Sequence, residues 1–239
     1  MPQSASALSQ TLKLARPTVY RILASLVEHG YVTRDRGRYR LSFRLLDLGH
    51  RVLKATDLFQ AARPALRELE VASRETVHLA VPEGGRMVYL DKLEGAGPFC
   101  ANSRIGASVP MHCTALGKAV LAFLPTPTVE NIVATYGQPR RTPRTIVTWV
   151  ALERELERIR RRGYALDDLE MEDGVRCVGA PVFDYRGTPV AALSVSAPAS
   201  RMPLTRAHKV GAIVRERASV VSRAIGWTGG LPAGALKGS

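Results

Sequence analysis

RPTVYRILASLVEHGYVTRDRGRYRL, residues 16–41, carries two periodicities in one short stretch. Val19, Ile22, Leu23 and Leu26 recur at helical spacing, with Pro17 suited to an opening turn and Gly30 to a stop. Beyond Gly30, YVTRD and RYRLS flank Arg36-Gly37 and predict two short strands joined by a tight turn. A shorter helix is expected from Leu8 to Leu14, so the order is helix, turn, helix, hairpin. From Lys13 to Arg44 there are eight Lys or Arg residues against two acidic ones, Glu28 and Asp35. A local excess of that kind is what a phosphate backbone attracts.

A helix fits the DNA major groove, and its early residues can meet base edges while nearby cations hold phosphates. Arg16, Thr18, Tyr20 and Arg21 lie on or near the open face of the second helix and are the candidate contacts. Arg34, Arg36, Arg38 and Arg40 on the hairpin can bring positive charge to the adjoining backbone or minor groove. The competing reading is a surface helix and a charged hairpin in a protein that is basic throughout. Thr18 and Tyr20 are equally suited to capping or packing.

The whole chain supports the polyanion reading without deciding it. Its 239 residues carry 34 Lys and Arg against 21 Asp and Glu, a formal charge of +13. Net charge bears on partners rather than on fold. Cys100, Cys113 and Cys177 are odd in number and widely spaced, which suggests neither a disulfide framework nor a cysteine-rich metal site. The first residues, MPQSASALSQTL, lack the basic and apolar regions of a secretion signal, and no long charge-free apolar window follows. A cytoplasmic protein with no membrane partner, no metal and no cofactor is expected.

Farther along, residues 43–60 show a helical stripe of Leu45, Leu48, Val52 and Phe59, and Pro64 fits the first turn of another helix. TVHLAV and RMVYLDKL bracket a Pro-Glu-Gly-Gly turn, and VRCVGAPVFD and PVAALSVSA bracket YRGT. Each pair predicts a hairpin. ALGKAVLAFLP predicts a helix closed by Pro125, Trp149 to Ile159 another before Gly163, and Val210 to Ile225 a last one. Strand pairs separated by helices indicate an α+β domain on an antiparallel sheet.

Several residues there carry possible chemistry. Asp167, Asp168, Glu170, Glu172 and Asp173 form an acidic run that lacks calcium-loop spacing, and Asp167 at the strand edge is the best placed to meet a ligand. Ser194 and Ser196 share one face of a strand by their spacing, pointing into a pocket or equally to solvent. Cys177 reads as a small buried hydrophobe, or as a nucleophile if His78 or His112 were to meet it. The residues thus leave open a ligand-binding module or a cysteine-dependent enzyme without DNA-binding competence.

RPTVYRILASLVEHGYV with RYRLSFRLLDLG, then ETVHLAV, VYLDKLEG, SRIGASVPMHCTALGKAVLAFLP, LERIRRRGYALDD and GVRCVGAPVFDYRGTPVAALSVSAPASR, closely resemble the IclR family of bacterial transcription regulators over nearly all of residues 8–225. The resemblance implies a partial winged helix-turn-helix over residues 1–42 whose usual first helix is missing, a linker helix over 43–62, a GAF-like effector domain over 63–226 and a flexible tail over 227–239. It further implies a regulator, not an enzyme, that binds double-stranded operator DNA, answers a small organic acid, and assembles as a homodimer or dimer of dimers. By motif position, Asp167, Cys177, Ser194 and Ser196 match the family's pocket residues, with Ala115 facing the same site. Arg16, Thr18, Tyr20 and Arg21 match its recognition-helix contacts. One departure stands out: the family's Pro-Lys-Ser-Thr type run is here Ala15-Arg16-Pro17-Thr18.

Overall fold

The computed structural model describes residues 2–54, 57–95 and 103–229, without the side chains of 50–54 and 57. Cys100 and residues 230–239, most of the expected tail, lie outside the described residues. The chain forms two compact units, residues 1–56 and 57–239.

In the first unit, β1 (Gln3–Ser4) leads into α1 (Ala5–Leu12), α2 (Arg16–Glu28), β2 (Val32–Asp35), β3 (Arg38–Leu41) and α3 (Arg44–Lys54). Ser4 caps α1 by accepting from Ala7 N at 3.1 Å. α2 has no side-chain cap at Ala15, and Pro17 supplies its opening turn instead. The hairpin closes through Arg36 and Gly37, both at positive φ, between the paired residues Asp35 and Arg38. Two positive-φ residues in a row make the turn whose twist matches the strands, and Gly37 enters it without strain. Ala5, Val19, Leu23, Val32 and Tyr39 form a small core. The helices' other side is uncovered among the described residues. Leu12, Leu14, Ile22, Leu26 and Leu41 are exposed there around a groove of about 290 Å3.

The second unit starts with α4 (Asp57–Ser73) and continues through β4 (Thr76–Glu83), β5 (Arg86–Leu93), β6 (Ser108–Pro110), α5 (Ala115–Leu121), α6 (Thr126–Tyr136), α7 (Trp149–Arg162), β7 (Ala165–Asp168), β8 (Val175–Phe183), β9 (Pro189–Pro198) and α8 (Leu204–Ala224). Pro64 sits inside α4 rather than in an opening turn. Leu58, Ala62, Leu66 and Leu69 bury one continuous stripe across it, and that burial outweighs the N–H the proline lacks. The strands form one antiparallel sheet, β6-β5-β4-β9-β8-β7. Strand alternation divides its side chains between two cores. Val77, Leu79, Val178, Ala180, Leu193 and Val195 pack with α4 and α8. Ala80, Ala165 and Ala192 pack on the other side with α5 and α7.

Two glycines let α5 pack closely, Gly179 against the sheet and Gly117 against the segment that follows β6. A Cβ on Gly179 would lie 2.9 Å from the Ala115 carbonyl carbon, and one on Gly117 would lie 2.2 Å from Met111 Cα. Backbone approaches backbone at both places, so only glycine fits.

Candidate functional site

On the first unit, Arg16, Tyr20, Arg21, Arg34, Arg36 and Arg38 are exposed and Thr18 is half-buried. At 100° per residue, Arg21 lies across α2 from the buried Val19, with Thr18 and Tyr20 to either side. Arg38 and Arg40 share a face of the hairpin by their spacing, and Arg40 Nε donates to Thr33 Oγ1 at 3.0 Å. The Arg34 guanidinium instead lies 5.7 Å over the Tyr39 ring. The hairpin arginines therefore serve two purposes: Arg34 and Arg40 brace one strand against the other, while Arg36 and Arg38 present exposed charge.

On the second unit, the five pocket candidates meet. Asp167, Cys177 and Ser196 stand in register across β7, β8 and β9, and Ser194 is paired with His78 on β4. Ala115, at the start of α5, faces this group over Gly179. They line a cavity of about 70 Å3 with Tyr89, Met171 and Glu172. That is room for roughly five waters at ~10–15 Å3 each, and hence for a compact ligand. A larger groove of about 640 Å3, lined by Phe183, Arg215 and Trp227, is an open surface feature and holds none of the five residues.

The cavity's electrostatics follow from burial. Asp167 is pushed up to about 7 because desolvation disfavours its charged form and Glu170 adds a like charge, against the opposing pull of Lys118 and two backbone N–H groups. Those N–H groups, of Glu170 and Met171, donate to Asp167 Oδ1 at 2.7 and 3.3 Å. Lys118, fully buried on α5, forms an ion pair with Glu170 Oε1, while Glu170 Oε2 has no partner among the described residues. His78 is lowered to about 3 by burial and by Lys92, so its ring is neutral. None of the described residues lining the cavity is a lysine or arginine.

Cys177 does not resemble a nucleophile. Burial raises its thiol far above the ordinary range, with Asp167 adding to the effect, and its side chain is hydrogen-bonded to Ser196. His78 is engaged by Ser103 and Ser194 rather than by the thiol, and His112 meets the Pro139 carbonyl. Among the described residues no cluster of His, Cys, Asp and Glu suits a metal ion, and no helix is long and apolar enough to cross a membrane.

Residues 1–36 match the IclR helix-turn-helix domain, and residues 50–223 match the bacterial transcriptional regulator IclR C-terminal domain. The chain belongs to the IclR family. It is therefore a DNA-binding transcriptional regulator with an effector-binding C-terminal domain, and not an enzyme. The HTH-type transcriptional regulator XynR of Escherichia coli is 35% identical over 222 residues, 92% of this chain and 88% of that protein. The IclR structure from Thermotoga maritima is 34% identical with a TM-score of 0.78, covering 95% of this chain and 92% of that one. An IclR homolog from Microbacterium hydrocarbonoxydans complexed with 4-hydroxybenzoate is 25% identical with a TM-score of 0.81, covering 94% and 91%.

Three residues of the cavity region lie outside the five expected for this IclR-family chain: His78, considered in the sequence only as a partner for Cys177, and Tyr89 line the cavity, and Lys118 is buried beside it. His78 had a signal: with Thr76 it is a polar residue at the cavity-facing parity of the largely apolar strand TVHLAV. Lys118 had one too, as the lone charge in ALGKAVLAFL. Tyr89 had none. A bulge at Leu79/Ala80 shifts the register of β5, so that Tyr89 and Lys92 pair with cavity-side residues of β4.

Proposed function

We propose that this IclR-family regulator holds operator DNA through α2 and the hairpin, and that a small organic acid in the cavity beneath α5 sets its operator affinity. The observation that carries the reading is the gathering of Ala115, Asp167, Cys177, Ser194 and Ser196 around one cavity, in a chain whose other unit exposes Arg16, Arg21, Arg36 and Arg38. The effector class is supported by donors at the cavity wall and by an Asp167 carboxyl that is partly protonated near neutral pH. The relative bound to 4-hydroxybenzoate lends it further support. Regulation follows if the ligand binds one DNA-competence state better than the other, since equal binding to both would shift nothing.

The active assembly in this reading is a cytoplasmic homodimer or dimer of dimers. Leu12, Ile22 and Leu41, with Phe43 and Leu46 near the start of α3, expose more apolar surface than a small unit usually leaves to water. The test is fluorescence anisotropy on DNA from the protein's own upstream region across a salt series, alongside calorimetry with small carboxylates and phenolic acids. Salt-sensitive DNA binding that shifts with a saturating acid is expected. Salt-independent binding, or an acid panel with no saturable member, overturns it.

A further inference from the structure

The cavity presents an acid-binding regulator with a physical difficulty. Asp167 and Glu172 bring carboxyl groups to its wall, and the two lysines nearby are already paired, Lys118 with Glu170 and Lys92 with Glu94. An anionic ligand must therefore be met by neutral donors, and a hydroxyl donates best when its own oxygen accepts another hydrogen bond. One neutral chain meets that requirement. His78 is 1% exposed, its Nε2 lies 2.8 Å from Ser103 Oγ and its Nδ1 lies 3.4 Å from Ser194 Oγ. Ser194 is itself 1% exposed and lines the cavity.

The geometry points to His78 as the positioning residue that makes the effector site selective for an acid: with Ser103 donating to Nε2, Nδ1–H donates to Ser194 Oγ, whose hydroxyl hydrogen is then committed to a ligand carboxylate oxygen. The opposite tautomer would have Ser194 donate to Nδ1 and offer the ligand only lone pairs, which an anion cannot use. The imidazole thus decides whether Ser194 acts as donor or acceptor. Three surroundings favour a neutral ring that can play this part. Burial and the Lys92 ammonium disfavour protonation, and the Tyr89 ring, 5.0 Å away, adds an uncharged wall. The inference rests on the proposal that this cavity is the effector site.

The test is calorimetry on the full chain with two acid and amide pairs, 4-hydroxybenzoate against 4-hydroxybenzamide and lactate against lactamide. Wild type is expected to prefer at least one acid over its amide. His78→Phe, which keeps a ring but no nitrogen, should lose several-fold of the acid affinity and change the amide little, since Ser194 then lacks the N–H donor that commits its hydroxyl hydrogen to the charged oxygen. His78→Asn puts an amide N–H near the place of Nδ1 and should recover part of the preference. His78→Gln, whose amide falls near the place of Nε2, should not. Thermal melts establish that each variant is folded, and imidazole 15N shifts of the wild-type complex should show the Nδ1–H tautomer. An acid preference unchanged in folded His78→Phe, equal behaviour of the Asn and Gln variants, or an Nε2–H tautomer in the complex overturns the inference alone. Failure of wild type to bind any member overturns the cavity reading and the inference with it.

Discussion

Lys118→Met removes the one charge of a helix whose seven residues are all buried. In the native protein its ammonium is fully buried and bound to Glu170 Oε1, while Glu170 Oε2 is already without a partner among the described residues. Methionine keeps much of the volume and leaves two buried carboxylates, Glu170 and Asp167, without the cation that now lowers both. Removing one member of a buried pair costs about 3–5 kcal/mol, most of it from the charge left behind. The loss depends on pH in a defined direction. Without Lys118 the folded-state values of these carboxyls rise further above their unfolded values, so the folded protein binds more protons than the unfolded one. Their contribution is therefore retained below the ordinary carboxylate range and is lost as pH rises through the raised values. Urea unfolding followed by circular dichroism should show the full deficit at pH 8 and a smaller one at pH 5. Lys118→Met with Glu170→Gln should recover most of the loss, because the stranded charge is gone. Equal stability of Lys118→Met and wild type at pH 8, or a double variant no better than the single one, refutes the reasoning.

Acid affinity in the cavity should be greatest below pH 7 and decline as pH rises through about 7, the value to which burial pushes Asp167, because the ionised carboxyl repels the ligand. Calorimetry between pH 6 and 8.5 checks this, and Asp167→Asn should flatten the profile. Gly179→Ala sets a methyl 2.9 Å from the Ala115 backbone and should lower stability by about 1–3 kcal/mol while weakening effector binding, measured by melts and calorimetry. Arg38→Ala, at an exposed hairpin position, should weaken DNA binding on all sequences and reduce the salt slope by about one, as read by anisotropy.

What could be read from the chain alone was what neighbouring residues decide among themselves. The Val19 and Leu23 spacing, the Arg36-Gly37 turn, the Trp149 to Ile159 stripe before Gly163 and the basic character of residues 13–44 are local, and each has its counterpart in the structure. Ser194 and Ser196 share a face for the same reason, since strand alternation needs no partner strand to operate. Their meeting with Asp167, Cys177 and Ala115 was implied only by family resemblance, because register across β7, β8 and β9 is a long-range property. Tertiary structure alone decided the rest: Pro64 inside a helix, Tyr89 brought to the cavity side by a bulge in a paired strand, Lys118 buried against Glu170, and His78 kept neutral between two serines. Burial and electrostatic energy depend on what distant segments bring within a few ångströms, and no periodicity within a segment records that.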